Sequence, residues 1–192
     1  TIRNLREIAP TLAYNVPRGF ELLIPHLEAD PAFRDHFFSG LDVIFYAGAS
    51  LPPNLWGKLE DLSVAARGER VRMLTSWGTT ETAPAATRVH YPIERVGVIG
   101  LPLPATELKL VPYGDTLEIR ARGPNIFPGY WKSEALTQAA HDDEGFYIAG
   151  DAVRFADPDD PARGLVFDGR LAEDFKLTTG TWVQVGNLRL QA

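Results

Sequence analysis

The chain has no cysteine among its 192 residues. That excludes disulfides, thiolate nucleophiles and zinc–thiolate centres, and leaves the cytoplasm as the default compartment. No apolar run reaches about 18 residues, and the first residues lack the basic, apolar and small-residue order of a signal peptide, so no membrane partner and no leader are expected. Basic residues are in deficit: 19 Lys and Arg face 25 Asp and Glu, a formal net charge of −6. With no aromatic-and-basic stripe either, nucleic acid is not an expected partner. The histidines, His26, His36, His90 and His141, fall at no metal-ligand or triad spacing. No Gly-x-Ser-x-Gly elbow occurs, so zinc and serine-hydrolase chemistry have no support. Asp157-Pro158-Asp159-Asp160-Pro161 is acidic, but it lacks the glycine and helical flanks of a calcium loop.

What is present is enough apolar material, 45% of residues, to bury a core. The first half alternates between periods. Leu5, Ile8 and Leu12 have helix spacing, 20–27 is a second helical run, 41–47 is a continuous apolar strand and 55–66 is helical, a pattern that predicts buried parallel strands. From Val96 the period becomes two, with short strands predicted at 96–100, 107–111, 116–122, 147–155 and 164–168, a β-rich subdomain. Pro112-Tyr113-Gly114-Asp115 reads as a hairpin turn. No internal repeat is visible, and a break near Asp168-Gly169-Arg170 marks a candidate boundary.

The most informative stretch is Ser76-Trp77-Gly78-Thr79-Thr80-Glu81-Thr82-Ala83-Pro84, after the apolar Val71, Met73 and Leu74. It reads as a strand ending in a polyanion-binding loop: Gly78 lets backbone N–H groups approach a ligand and the threonine hydroxyls can donate to phosphate. Magnesium is usually held by one or two carboxylates plus substrate phosphates, so Glu81 alone is chemically sufficient as its metal ligand. On spacing, the same residues equally read as the start of a helix with a threonine cap and an acidic first turn.

Trp77 to Thr82 resembles the aromatic-Gly-x-Thr-Glu-Thr signature of the adenylate-forming superfamily, which includes acyl-CoA synthetases, luciferases and peptide-synthetase adenylation domains. Further blocks follow in that family's order: Val16-Pro17, Gly48-Ala49-Ser50, Arg122-Gly123-Pro124, Pro128-Gly129-Tyr130-Trp131, Gly150-Asp151 and Asp168-Gly169-Arg170. The tail from Phe167 to Gly186 is similar to the feruloyl-CoA synthetase branch, which acts on aromatic or hydroxycinnamic acids.

The resemblance implies an α/β fold in three parts: residues 1–95 as the second α/β subdomain of the large domain, with a parallel sheet, 96–168 as a β-barrel-like subdomain, and 169–192 as the hinge and opening strands of a C-terminal α+β domain. It implies ATP-dependent adenylation of an aromatic acid, with ATP or AMP, Mg²⁺ and coenzyme A as co-substrate, and those small molecules as partners. Gly48, Ala49 and Ser50 become an adenine wall, Trp77 a ring that stacks on adenine, and Gly78, Thr79 and Thr80 the phosphate contacts. Glu81 takes the metal, Asp151 accepts from the ribose hydroxyls, and Arg170 contacts ribose or phosphate. Thr80, Glu81 and Lys176 carry the catalytic roles. Where the family has a polar hinge residue, this chain has Ala172 followed by Glu173. The family's triphosphate loop and C-terminal catalytic lysine have no counterpart here, so the chain is expected to be an internal piece, inactive alone, with residues 172–192 short of contacts to the rest. Two other readings stay open: an adenylation module that hands its acyl group to a carrier thiol or a reductase domain, and a noncatalytic nucleotide-binding or interaction module.

Overall fold

The computed structural model describes residues 1–173 together with two short strands, Phe175–Lys176 and Trp182–Val183. In chain order the elements are α1 (Ile2–Glu7), β1 (Leu12–Asn15), α2 (Pro17–Ala29), α3 (Pro31–Phe38), β2 (Val43–Tyr46), α4 (Pro53–Arg67), β3 (Arg72–Trp77), β4 (Thr87–Arg88), β5 (Val98–Pro102), β6 (Glu107–Tyr113), β7 (Thr116–Arg122), α5 (Glu134–Ala139), β8 (Tyr147–Phe155), β9 (Leu165–Arg170), β10 (Phe175–Lys176) and β11 (Trp182–Val183). They form two compact units. One is Thr1–Thr75 with Val89–Gly97; the other is Ser76–Arg88 with the described residues from Val98 onward.

The first unit is an α/β layer built on the parallel strands β1, β2 and β3, with Ile44 facing both Ala13 and Met73. Its core follows from helix periodicity. Phe20, Leu23, Ile24 and Leu27 recur at the spacing of one helical face and are buried, as are Trp56, Leu59 and Leu62 on α4. They pack with Phe33, Phe37, Phe38, Leu41 and Ile44, and each such side chain contributes about 1.5–3 kcal/mol on leaving water. Ile93 and Val96 pack against the same cluster. Prolines at the first turn start α2, α3 and α4, and Gly68, at φ 78°, ends α4 in the left-handed conformation.

Leu12, read with helix spacing, instead opens β1. The helix stops at Glu7, and the next residues join a ladder whose partner strand begins at Val43. No local pattern encodes that pairing. The helix α3 was not foreseen either, although its signals are in the sequence: Pro31 begins it and the Asp30 carboxylate accepts from Phe33 N at 3.1 Å.

The second unit is an antiparallel sheet. The last two residues of β3 pair with β4, and the order continues β4-β5-β9-β8-β7-β6. The hairpin strands run further than the sequence suggests: Pro112 and Tyr113 belong to β6, Tyr113 pairs with Thr116, and Gly114-Asp115 alone turns the chain, with Gly114 at φ 57°. The barrel-like expectation is corrected to an open sheet, because β6 pairs only with β7 among the described residues. Pro112, lacking an N–H, and Lys109 both sit on this edge strand, where they discourage further pairing. A depression of about 380 Å³ is lined from β5 by Leu101 and Pro102, from β6 by Leu108 and Leu110, and by Phe155 and Leu165. Gly169 and Arg170 remain in β9, opposite Ala152 and Asp151. β10 and β11 pair antiparallel. The expectations for residues 172–192 otherwise lie outside the described residues. No helix among the described residues is long and apolar enough to cross a membrane.

Candidate functional site

The Ser76–Pro84 stretch combines both readings open on spacing. β3 ends at Trp77, two residues follow, and Thr80–Thr82 forms one 3₁₀ turn capped by Thr79. Thr82 is buried and its hydroxyl holds the turn: it accepts from Thr79 N at 2.8 Å and donates to Thr79 O at 3.0 Å. Gly78 is required because a Cβ there would lie 2.2 Å from Pro84 O and 2.6 Å from Ala85 Cα. The turn leaves Thr80 exposed and Thr79 and Glu81 half-buried.

Glu81 is bonded on both its backbone and its side chain. Its carbonyl accepts from Phe127 N at 2.8 Å, and its Oε1 accepts from the Tyr130 hydroxyl at 2.8 Å. Burial pushes this carboxyl up. Hydrogen bonds from Tyr130, its own backbone, Thr79 and Tyr147 outweigh that and hold it below the usual glutamate value. The same bond to Glu81 pushes the Tyr130 phenol up to about 12, and burial raises Tyr147. Thr79 Oγ1 stands 3.5 Å from the Tyr147 hydroxyl. Glu81 is therefore an ionised carboxylate among neutral hydroxyls, with no ion pair among the described residues. Such an oxygen-only setting fits one ligand of a magnesium ion whose other ligands come from phosphate and water. The described residues hold no cluster of three or more acidic or histidine ligands, so phosphate oxygens are needed to complete such a site.

Asp151 sits on β8 and is 2% exposed. Trp77 Nε1 donates to its Oδ2 at 2.8 Å, and Arg170 Nε, from the facing position on β9, lies 3.0 Å from its Oδ1. The second unit thus brings together Trp77, Gly78, Thr79, Thr80, Glu81, Asp151 and Arg170. Trp77 lies in the apolar cluster with Ala86, Ile99, Ile119 and Ala149 and is 6% exposed. In the first unit, Gly48 and Ala49 are exposed and Ser50 half-buried just after β2, with Gly48 at φ 82°. Lys176 falls on β10, opposite Trp182. Its side chain lies outside the described ones.

Three side chains were missed as partners of this turn. Tyr130 and Tyr147 are braced by Phe127, whose ring centroid lies 4.8 Å and 5.6 Å from theirs. Asn125 Nδ2 donates to Thr82 O at 3.2 Å and Ala85 O at 2.8 Å, while its Oδ1 accepts from Thr106 Oγ1 at 3.0 Å. It follows a noted block, Arg122-Gly123-Pro124, but the two carbonyls it holds are 40 or more residues away. Asn125→Ala strands two carbonyls of the turn, and the 192-residue chain should lose about 1–3 kcal/mol of stability. Urea unfolding checks this, and a loss below about 0.5 kcal/mol, the spread of an ordinary surface change, would refute the bracing role.

Three comparisons bear on this geometry. The family of AMP-binding enzymes matches residues 1–131. A feruloyl-CoA synthase from Amycolatopsis sp is 30% identical over 154 residues, covering 74% of this chain and 28% of that protein. The medium-chain fatty-acid–CoA ligase of Escherichia coli K12 is 34% identical over 93 residues, 44% of this chain and 16% of that enzyme. Among solved structures, a malonyl-CoA ligase with methylmalonyl-CoA and AMP bound is 30% identical, with a TM-score of 0.71, covering 97% of this chain and 39% of that one. The chain thus spans well under half the length of the relatives it matches. With the family matching residues 1–131 of 192 and the hydroxyl-bearing turn folded beside a buried aspartate, the chain belongs to the AMP-binding enzymes.

Proposed function

We propose that this chain is part of an ATP-dependent acid:CoA ligase that adenylates an aromatic carboxylic acid of the feruloyl or hydroxycinnamoyl type and passes it to coenzyme A. In the first half-reaction a carboxylate oxygen bonds to the α-phosphorus of ATP and pyrophosphate leaves. In the second the thiol sulfur takes the acyl carbon and AMP leaves. One observation carries the reading: a single compact unit gathers the Thr79–Thr80 hydroxyls, a Glu81 carboxylate without an ion pair among the described residues, and Asp151, joined to the turn through Trp77.

Each residue then has a role. The Thr79 and Thr80 hydroxyls donate to phosphate oxygens, with Thr80 nearest the α-phosphate, and Asp151 accepts from the ribose hydroxyls. Arg170, always charged and forked, contacts ribose or phosphate. Gly48, Ala49 and Ser50 offer a flat backbone wall to adenine, and Lys176 serves one of the two half-reactions. Glu81 holds Mg²⁺, which when bound acts as a Lewis acid on phosphoryl oxygens. Catalysis of this kind comes chiefly from positioning and from neutralising charge. The aromatic acid is supported by the 30% identity to a feruloyl-CoA synthase.

The test is a thermal-shift screen of the whole protein that carries this chain. At a hundredfold excess over Kd a specific ligand adds about 2.7 kcal/mol, so ATP, AMP and ferulate should each raise the midpoint by several degrees. Stabilisation by none of the nucleotides would overturn the adenylation reading; stabilisation by AMP and by aliphatic acids alone would overturn only the aromatic substrate.

A further inference from the structure

We infer that Tyr130 is a positioning residue for Glu81: its hydroxyl fixes the carboxylate before a metal arrives, and the Thr137 hydroxyl in turn fixes Tyr130. The inference rests on the reading that Glu81 holds Mg²⁺.

Glutamate is among the side chains with most rotamer freedom to lose, so it ligates a metal better where its neighbours have already ordered it. The loop after β7 orders Glu81 twice. Phe127 N donates to the Glu81 carbonyl at 2.8 Å, and three residues further on the Tyr130 hydroxyl donates to Glu81 Oε1 at 2.8 Å. One loop thus holds both the main chain and the side chain. Thr79 and Tyr147 also hydrogen-bond this carboxylate, so Tyr130 shares the task with two other hydroxyls.

Tyr130 is 39% exposed, and an exposed side chain on an untethered loop would order nothing. Its backbone is tied on both sides. Tyr130 N donates to Thr137 Oγ1 at 2.8 Å, and Tyr130 O accepts from Ser133 N at 3.2 Å. The Thr137 hydroxyl is used in both directions, since it also donates to Ser133 O at 2.9 Å. Gly129, at φ 148°, lets loop and helix meet: a Cβ there would lie 2.4 Å from Thr137 Cγ2. The Tyr130 ring is set by Phe127, edge-on with centroids 4.8 Å apart, and the His141 ring stacks on Phe127 at 5.4 Å. His141 Nδ1 lies 3.0 Å from Thr137 O. A carbonyl only accepts, so that nitrogen donates and α5 holds the aromatic brace as well as the backbone of Tyr130. The Pro128-Gly129-Tyr130-Trp131 block thereby gains a physical role at the turn.

The experiment uses the whole protein that carries this chain and an ATP analogue with a methylene between its α and β phosphates, so that nothing turns over. Calorimetry gives the affinity of the analogue with Mg²⁺ and with a chelator instead. The factor by which Mg²⁺ tightens it reports the protein's hold on the ion. Tyr130→Phe keeps the ring on Phe127 and removes the hydroxyl alone. It should cut that factor about tenfold, the lower end of the loss when a partner of a metal-ligating carboxylate is removed, because Thr79 and Tyr147 remain. The metal-free affinity should be unchanged. Thr137→Val, close in shape but without the hydroxyl, should cut the factor in the same sense. Adding Tyr130→Phe to Glu81→Gln should cost little beyond Glu81→Gln alone, because the two act through one group. A factor kept in Tyr130→Phe but lost in Glu81→Gln would overturn the inference and leave the metal reading standing. So would equal losses with and without Mg²⁺, or a loss that adds in full to that of Glu81→Gln. A factor kept in Thr137→Val would overturn the anchoring by α5. A factor kept in Glu81→Gln would overturn the metal reading, and the role of Tyr130 with it.

Discussion

Glu81→Ala should lower acyl-adenylate formation by about two orders of magnitude or more, the loss typical of removing one electrostatic element of a transition state. The measurement is pyrophosphate release by the whole protein at saturating Mg²⁺. The geometry predicts a separation between activity and stability. Glu81 is half-buried, its side chain bonds to the Tyr130 hydroxyl, and Tyr130 is 39% exposed, so that hydroxyl can turn to water when the carboxylate is gone. The link from Phe127 N to the Glu81 carbonyl belongs to the backbone and survives the substitution. Stability should therefore change by less than about 1 kcal/mol, as for other partly exposed side chains outside a core, while turnover collapses. Near-normal turnover at saturating Mg²⁺ would remove Glu81 from the metal site. A large loss of stability would instead make it a structural carboxylate.

Gly78→Ala should be strongly destabilising. The added Cβ would lie 2.2 Å from Pro84 O, 2.5 Å from Thr82 Oγ1 and 2.6 Å from Ala85 Cα, far inside van der Waals contact. Relief requires moving the 82–85 backbone, and that backbone is pinned. Asn125 holds the carbonyls of Thr82 and Ala85, Ala86 N donates to Trp77 O at 2.9 Å, and Thr79 N donates to the Thr82 hydroxyl. Overpacking of this kind costs about 3 kcal/mol, or roughly 6–12 °C of Tm for a chain of this size. Gly57→Ala is the internal control. Gly57 lies within α4, and a Cβ added there would meet nothing within 4 Å, so alanine should raise stability by about 0.5–1 kcal/mol through helix propensity. Differential scanning calorimetry of both variants decides the matter, and a Gly78→Ala midpoint within about a degree of the parent, well short of the shift expected from overpacking, would contradict the close approach.

Much of the fold was legible because its signals are local. The period of Phe20, Leu23, Ile24 and Leu27 matches one face of α2, and Leu108 and Leu110 alternate along β6 beside a turn glycine. Leu12 misled because three apolar residues at helical spacing look alike whether the chain stays helical or extends, and β1 is held by a ladder to residues 43–46. The barrel misled for a related reason. Alternation predicts strands, while closure depends on whether the edge of β6 finds a partner.

The site divides along the same line. The sequence alone determined the chemistry of the turn: a glycine where backbone must pass closely, hydroxyls beside it, and one carboxylate. It determined no partner. Trp77 meets Asp151 across 74 positions, Glu81 meets Tyr130 across 49, and Asn125 reaches Ala85 across 40. Strand register, with its shift before Asp151, sets the first of those meetings, while the loop that follows β7 carries Asn125 and Tyr130 to the turn; register is a property of paired chains rather than of any one segment. Only the tertiary structure buried Trp77 and turned its N–H onto a buried carboxylate. A residue's type fixes which bonds it can make, and the packing around it selects which of them it does make.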